Sequence, residues 1–343
     1  MSMARLALVV IARDEAAHIE RLLRSVAPWV DDMLVLDTGS SDATPALAAA
    51  CGARVAHFEW CEDFSAARNR ALDLAAADWH LVLDADEWLV SGGEVLVALR
   101  AQSPDFVGSL ALDDHFEGGS SRGRLSRLLP GHVRYAGRIH EQPQHRLPVR
   151  ALEVQIGHDG YLPERLKAKQ GRNLRLLQQD LAQHPEDAYL WYQLGKDAYV
   201  YEDYAAAEQA FERAAALPHP EGGWWLDLVP RRLFALKCLK RHAEGLALAE
   251  PELQRCGESP DFFFALGDLL LDFAADSPAH AEALVPMIED AWQRCLSLGE
   301  RPDLPGAVAG RGSHLAAHNL ALLMDATGRP DQAQALRRAY PAS

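Results

Sequence analysis

Apolar and polar positions follow different periods in the two halves of the chain. In the first half, short aliphatic runs alternate with stretches whose apolar residues recur at helical spacing. The runs cover residues 6–11, 33–36, 54–58 and 79–83, and the helical stretches cover 16–26, 44–50 and 65–76. Strands that alternate with helices predict βαβ units, and hence an α/β fold with a mainly parallel sheet and flanking helices.

The pattern changes near residue 165. Beyond it the strand-like runs disappear, and stretches rich in Ala, Leu and Gln are separated by prolines at helix-length intervals. We therefore predict two domains: an α/β domain over residues 1–165 and an all-α array of helical hairpins over residues 166–343.

The helical half contains a repeat that matches the tetratricopeptide pattern, with Ala198 in place of an aromatic residue. The matching positions are Trp191, Leu194, Gly195, Tyr204, Ala207, Phe211 and Ala214. Weaker units surround Phe263–Gly267 and Leu320–Ala333. The aromatic side chains are expected to fill the space between helices, and such arrays also form concave surfaces that bind partners.

Composition and charge narrow the possible functions. The chain of 343 residues is 49% hydrophobic, which is ordinary for a folded protein, and its net charge of −15 argues against binding nucleic acid over a broad surface. The five cysteines are scattered and include no C-x-x-C pair, so we expect no disulfide framework, no zinc site and a cytoplasmic location. No apolar stretch is long enough to suggest a transmembrane segment.

A cluster of acidic residues follows the apolar run at 79–83. Asp84 and Asp86, with Glu87 beside them, fall where a buried strand would leave the sheet. Ligands of open α/β sheets bind at that edge, and paired carboxylates suit Mg²⁺ or Mn²⁺ shared with substrate phosphates. An isolated Asp-x-Asp is more often a solvated turn, so the neighbouring strand ends decide between the two interpretations.

Two other strands are expected to bring carboxylates to the same edge. Asp37 ends the second strand, and Glu15 follows the first. Because gathered like charges are destabilising, this arrangement favours a bound cation or a cationic neighbour. Arg68 and Arg70 precede the acidic strand, and either residue could meet a base or a phosphate.

Taken in order, several short segments resemble the family 2 glycosyltransferases, in particular the bacterial branch with tetratricopeptide-like helices after the catalytic domain. The segments are Val10–Glu15, Val35–Asp42, Ala67–Asn69, Leu83–Glu87, Gly137–Glu141 and Ile156–Tyr161, followed by Lys169 and Arg172–Asn173. The resemblance implies a GT-A fold, a nucleotide-sugar donor, a divalent cation (Mn²⁺ or Mg²⁺) and inversion at the anomeric carbon.

The resemblance also implies roles for individual residues. Glu15, Asp37 and Arg68 would contact the nucleoside, Asp84 the ribose or sugar, and Asp86 the metal. One departure from the family pattern is Asp14, where the family usually has Asn.

An inverting transfer needs a carboxylate base on the side of the sugar opposite the diphosphate. Glu141 is the preferred candidate, because it follows a glycine-containing segment where this family would place acceptor-side residues. Asp113 and Asp114, which follow the strand-like stretch at 107–112, remain alternatives.

The histidines near these segments have two interpretations. His158 is a candidate metal or diphosphate ligand, because it lies at a glycine-flanked turn, although a structural role is equally compatible. For His140 we favour a structural role or the orientation of Glu141. Lys169 and Arg172, on the following helix, could close over the diphosphate or lie on a solvated face.

We therefore predict an inverting, metal-dependent glycosyltransferase that uses a nucleotide sugar, with a UDP-hexose favoured by the resemblance. Its acceptor would be a glycan, a lipopolysaccharide core or a peptide, and a homodimer is possible. The alternative is a peptide-binding repeat scaffold with a degenerate nucleotide-sugar domain, because a fold alone does not establish an activity.

Overall fold

The apolar runs of the first half form the strands of one sheet in the computed structural model, which describes residues 3–116, 119–158, 171–218 and 223–341. The strands are β1 (Leu6–Ala12), β2 (Asp32–Asp37), β3 (Arg54–His57), β4 (Trp79–Val82), β5 (Glu87–Ser91), β6 (Val107–Phe116), β7 (Gly119–Pro130), β8 (Arg134–Ala136), β9 (Gln142–Gln144) and β10 (Val149–His158). The helices between them are α1 (Ile19–Val26), α2 (Thr44–Ala50), α3 (Phe64–Ala75) and α4 (Gly93–Ala98), with short 3₁₀ turns at Ala27–Trp29 and Leu99–Ala101.

Eight of these strands form a sheet in the order β3-β2-β1-β4-β7-β6-β10-β5, and β8 pairs with β9 in a small second sheet. The pairs β2–β3, β1–β2, β1–β4 and β6–β10 are parallel, whereas β4–β7, β6–β7 and β5–β10 are antiparallel. The predicted α/β class with a mainly parallel sheet is confirmed. β6 is longer than its apolar run, so Asp113 lies within the strand rather than after it, as does the backbone of Asp114.

The central strand β1 is apolar along its whole length because helices cover both faces of the sheet. Leu8 and Val10 belong to a core with α1, whereas Ala7 and Val9 belong to a second core with α3. Successive side chains of a strand point to opposite faces, so a strand buried on both faces shows a continuous apolar run. This packing fixes the strand ends that carry the polar side chains.

Helices make up the rest of the described chain. They are α5 (Arg172–Gln183), α6 (Ala188–Val200), α7 (Tyr204–Ala216), α8 (Trp225–Cys238), α9 (His242–Glu252), α10 (Pro260–Asp276), α11 (Pro278–Leu298), α12 (His314–Ala326) and α13 (Pro330–Ala339). The chain divides into two compact units, residues 1–180 and 181–343. The predicted boundary at 165/166 falls outside the described residues, as does Lys169.

The hairpin of α6 and α7 contains the repeat that the sequence pattern predicts. A Cβ atom added at Gly195 would overlap the ring of Phe211, so the glycine lets the two helices approach closely. Phe211 is fully buried in a core that also contains Tyr192 and Ala207. Among the described residues, no helix combines the length and the apolar character needed to cross a bilayer.

Candidate active site

A tight turn after β4 holds the acidic cluster at the carboxyl edge of the sheet. The backbone N–H of Asp84 donates to Oε2 of Glu87 at 2.9 Å, and the N–H of Glu87 donates to the carbonyl of Asp84 at 3.0 Å. Glu87 is 1% exposed, whereas the side chain of Asp84 is 35% exposed. The turn therefore buries the carboxylate of Glu87, which accepts a hydrogen bond within the turn, and leaves the carboxylate of Asp84 partly accessible.

Arg68 reaches this turn from α3. Asp63 begins the helix by accepting a hydrogen bond from the N–H of Ala66 at 2.9 Å, which is a standard N-cap. Arg68 lies on the buried face of α3 and donates from Nη2 to Oδ1 of Asp84 at 2.6 Å and from Nε to Oε1 of Glu141. The structure thus brings three predicted site residues together, whereas Arg70 is exposed.

Arg127 was not identified from the sequence. It lies on β7 and donates to both Oδ2 of Asp84, at 2.6 Å, and Oε1 of Glu87. The available signal was a charged residue just before the apolar pair Leu128–Leu129 in a strand. A buried cation in such a position requires a buried anion, and sequence spacing does not reveal which anion.

The two arginines shift the ionisation of the acidic turn. Burial alone would raise the pKa of Asp84, but the charges of Arg127 and Arg68 outweigh it and hold the pKa well below its usual range. Burial raises the pKa of Glu87 in spite of Arg127. Asp84 is therefore the permanent anion of the cluster.

Three buried donors at this site have no acceptor among the described residues. They are Nη1 of Arg68, Nε of Arg127 and the hydroxyl of Tyr135. Asn69 fixes Tyr135 through two hydrogen bonds to its backbone, of 2.9 and 2.8 Å. Burial raises the pKa of Tyr135 to about 12, so its hydroxyl keeps its proton. Unsatisfied buried donors are rare, and where they cluster they mark a polar site that a ligand, an ion or water completes.

Asp86 and His158 form the pair predicted to bind metal. Asp86 is 6% exposed, and its Oδ2 lies 3.5 Å from Nε2 of His158. The pairing of β5 with β10 places His158 opposite Glu87, which brings it beside the acidic turn. A carboxylate and an imidazole suit Mn²⁺, with diphosphate and water oxygens as the remaining ligands.

Asp37 is the last residue of β2, and Glu15 comes three residues after β1, the strand that lies between β2 and β4. Asp37 is 4% exposed and accepts hydrogen bonds from the N–H groups of Gly39 and Ser40, at 3.2 to 3.3 Å. Burial alone would raise the pKa of Asp37, but the hydrogen bonds from Ser40 lower it. Oε2 of Glu15 lies 3.1 Å from Nδ1 of His18.

Asp14 joins the loops that follow β1 and β2. Its φ of 54° is left-handed, a conformation that Asn and Asp adopt more readily than most residues. Its Oδ1 accepts from the backbone N–H of Ser41 at 2.7 Å, so Asp14 serves the same turn geometry as an asparagine would.

Asp113 and Asp114 lie on β6, opposite Gly157 and His158 of β10, and Arg172 begins α5. Asp113 accepts a hydrogen bond from Nε2 of Gln155 in the neighbouring strand β10. The Asp114 side chain is outside the described residues, and Arg172 is exposed, with its guanidinium 5.5 Å from the ring of Phe64.

Comparison with known proteins identifies the chain. The family described as "Glycosyl transferase family 2" matches residues 7–119. A TPR repeat-containing protein of Synechococcus elongatus is 36% identical over 278 residues, which cover 76% of this chain and 67% of that protein. The chain belongs to glycosyl transferase family 2. The combination of this glycosyltransferase domain with a tetratricopeptide-like array is therefore confirmed, and the protein is a glycosyltransferase.

Other similar proteins match shorter parts of this family 2 chain. The SPbeta prophage-derived glycosyltransferase SunS of Bacillus subtilis is 27% identical over 205 residues, which cover 56% of this chain and 48% of SunS. The solved structure of glucosyl-3-phosphoglycerate synthase from Mycobacterium tuberculosis, in complex with Mn²⁺ and UDP, is 25% identical over 34% of this chain and 45% of that chain. Its TM-score is 0.27, a value too low to indicate how this chain binds its ligands.

Proposed function

We propose that the protein transfers a hexose from a UDP-sugar to a glycan or peptide acceptor, with inversion and with the help of Mn²⁺ or Mg²⁺. The observation that carries this proposal is the position of Arg68, which binds Asp84 and Glu141 at once beside the pair of Asp86 and His158. Arg68 thereby holds Asp84 and Glu141 close together, as their proposed donor-side and acceptor-side roles require. Apolar residues would stabilise a purely structural domain about as well as these buried ion pairs do, which favours a functional role for them.

Asp86 and His158 are the residues that would hold the cation. A bound divalent cation would neutralise the negative charge that develops on the departing nucleoside diphosphate. The unsatisfied donors of Arg68, Arg127 and Tyr135 fit the same anionic ligand, because its oxygens are acceptors only. The second unit contains another group of possible metal ligands, His242, Asp272 and Asp276. There, however, Nζ of Lys240 already lies 2.7 Å from Asp272 and 3.1 Å from Asp276, so a cationic side chain balances these carboxylates.

Glu141 is the proposed general base. The acceptor hydroxyl loses its proton to Glu141 as its oxygen bonds to the anomeric carbon, and the bond from that carbon to the diphosphate oxygen breaks with its electron pair. The side chain of Glu141 is 9% exposed and is oriented by Arg68, so it is held in one position before the acceptor arrives. In this scheme Arg68 positions Glu141 through Nε, and its Nη1 is left for the donor.

Asp84, Asp37 and Glu15 would bind the rest of the donor. Asp84 keeps lone pairs for a ribose or sugar hydroxyl after accepting from both arginines, because a carboxylate offers about four acceptor sites. Asp37 and Glu15 lie where the adjacent strands end, which is where nucleotides bind to open parallel sheets.

The proposal is tested by the thermal stability of the full chain with UDP, with Mn²⁺ and with both. We expect a rise in Tm only with both ligands, and we expect Asp86→Asn to lose the rise and the donor hydrolysis. Asp73→Asn is the matched control. Asp73 lies on the exposed side of α3 and pairs with Arg134 of β8, so its loss should leave the Tm rise and the hydrolysis unchanged. No response of the wild type to any UDP-sugar would contradict the proposal and favour the scaffold alternative.

A further inference from the structure

The connection between α11 and α12, residues 299–313, folds back onto the helices of its own unit. Helix connections in bundles usually have about 2 to 8 residues, so this one is long. Gly306 has a φ of 73°, and a Cβ added there would overlap the carboxylate of Asp227 on α8. The loop backbone therefore lies directly against α8, and only glycine fits at this point.

Two hydrogen bonds attach the same loop to α10. The N–H of Val308 donates to Oδ1 of Asp261 at 3.1 Å, and Nη1 of Arg311 donates to the same oxygen at 2.8 Å. The base of the loop is closed separately, because the N–H of Gly310 donates to Oε1 of Glu300 at 3.0 Å. The loop thus lies across α8 and α10 as a bound peptide would, with one backbone N–H and one guanidinium on a buried carboxylate.

A cavity of about 80 Å³ remains between the loop and the helices. Its floor is formed by α6, α8 and α10, alternate helices of the array, with Tyr199, Phe234 and Asp268 beyond the loop. Alternate helices line the surface with which repeat arrays bind partners. Tyr199, Phe234 and Asp268 line this cavity together with Gly306, Val308 and Arg311 of the loop.

The carboxylates of the groove depend on the loop to different degrees. Asp227 is bound by Arg231 of its own helix at 2.8 Å and by the hydroxyl of Tyr192 at 2.6 Å. Asp268 accepts from Asn319 at 3.2 Å and lies 3.9 Å from Nζ of Lys237. Neither carboxylate relies on the loop for these partners.

Asp261 differs, because both of its side-chain hydrogen bonds within the described part of the chain come from the loop. It is 5% exposed, and burial raises its pKa in spite of Arg311. Removing the loop would leave this buried acid without a cation, which is strongly destabilising. A segment that replaces the loop restores both interactions if it brings a positive charge and an N–H donor to Asp261.

We propose that this face of α8 and α10 is a peptide-binding groove that the loop occupies in the free protein, and that a basic, glycine-containing peptide of a partner protein takes the place of the loop. The loop shows the chemistry required: glycine against Asp227, then a backbone N–H and an arginine on Asp261. A partner peptide that matches these three features displaces the loop. This inference goes beyond the proposed glycosyl transfer and does not depend on it.

The probe is a fluorescent peptide with the sequence of residues 304–312, and binding to the full chain is measured by anisotropy. In one variant, residues 304–311 are replaced by a Gly/Ser segment of equal length. We expect the peptide to bind this variant about tenfold or more tightly than the wild type, because the tethered loop no longer competes. A peptide with the Arg311→Glu change should not bind. Equal affinity of wild type and variant, or equal binding of both peptides, would overturn the proposal.

Asp261→Asn in the Gly/Ser variant should weaken peptide binding by about tenfold or more, because it removes a charge-assisted hydrogen bond. Asp268→Asn in the same background is the matched control and should retain the affinity, because its partners lie outside the loop. Equal losses in the two variants would refute the assigned role of Asp261.

If the Gly/Ser variant does not fold, Gly306→Ala provides the same test, because its Cβ displaces the loop from Asp227 without shortening the chain. Hydrogen exchange of residues 307–311 should then rise together with peptide affinity, and faster exchange without peptide binding would contradict the proposal. Donor and metal are absent from these measurements, so a failure of the groove and a failure of the glycosyl transfer are distinguishable.

Discussion

Arg127 links two acids whose pKa values the fold shifts in opposite directions. It contacts Asp84 and Glu87 within one turn, yet the pKa of Asp84 is lowered and that of Glu87 is raised. Arg68 adds a second cation to Asp84 alone, and Glu87 is the more deeply buried acid. Two acids that share a partner can therefore have very different pKa values, and Asp84, whose pKa is lowered and whose side chain is partly exposed, suits the role of a hydrogen-bond acceptor for the donor.

Glu141 and Asp113 can be distinguished by single substitutions. Glu141→Gln keeps an oxygen for Arg68 but removes the base, so donor hydrolysis should fall by about 10²- to 10⁴-fold. The Tm response to UDP with Mn²⁺ should remain. Asp113 accepts a hydrogen bond from Gln155 on the neighbouring strand, so Asp113→Asn should leave the rate of donor hydrolysis within a few fold of the wild-type rate. The opposite pattern of the two variants would assign the base to Asp113.

His80 gives the first unit a pH-dependent stability. It is 1% exposed, and its Nε2 accepts from the N–H of Ala77 at 3.2 Å. Burial lowers its pKa from 6.5 to about 4, so the unfolded chain takes up the proton first as pH falls. The free energy of unfolding should fall by about 3 kcal/mol between pH 6.5 and 4 for this reason.

His80→Asn provides the comparison for this prediction, because asparagine retains an acceptor for Ala77 and does not titrate. Urea unfolding of both proteins at pH 7, 5.5 and 4 isolates the contribution of His80 from that of other acids. Identical pH dependence of the two proteins would show that His80 is not kept neutral by the fold.

At the scale of elements, the hairpin of α6 and α7 depends on close contact between a glycine and an aromatic ring. Gly195→Ala should destabilise the array by about 1 to 3 kcal/mol, because the added methyl overlaps the ring of Phe211. Phe211→Leu removes the ring that the added methyl would overlap, so the two substitutions are combined in a double variant. Urea unfolding of the double variant should show less destabilisation than the sum of the two, and additive effects would contradict the close contact.

The bounds of the helices and strands show where sequence periodicity predicts an element correctly and where it does not. The helix at Thr44–Ala50 begins and ends as predicted, because its signals are local: Pro45 lies in the first turn, and Gly52, with a φ of 85°, follows the helix. β6 was predicted too short because its second half carries Asp113 and Asp114, and a polar strand paired on both sides has no apolar signature. Arg127, on the partner strand β7, was missed for the same reason.

At the scale of the whole molecule, each unit contains its own hydrophobic cores. Residues 184–343, which begin after α5 and keep the Asp187 cap of α6, should therefore fold alone. Circular dichroism should show a helical spectrum and urea should give a cooperative transition. Residues 1–183 should retain the Tm response to UDP with Mn²⁺. An unfolded 184–343 fragment would contradict the division.

The sequence by itself determined the α/β half, the helical array and the acidic turn, because periodicity, caps and strand ends are properties of neighbouring residues. Tertiary structure alone introduced Arg127, joined Glu141 to Arg68 and placed His158 next to Asp86. These contacts join residues far apart in the chain, and strand order and register decide them. Local patterns show that a charge is buried, but only the fold shows which opposite charge meets it.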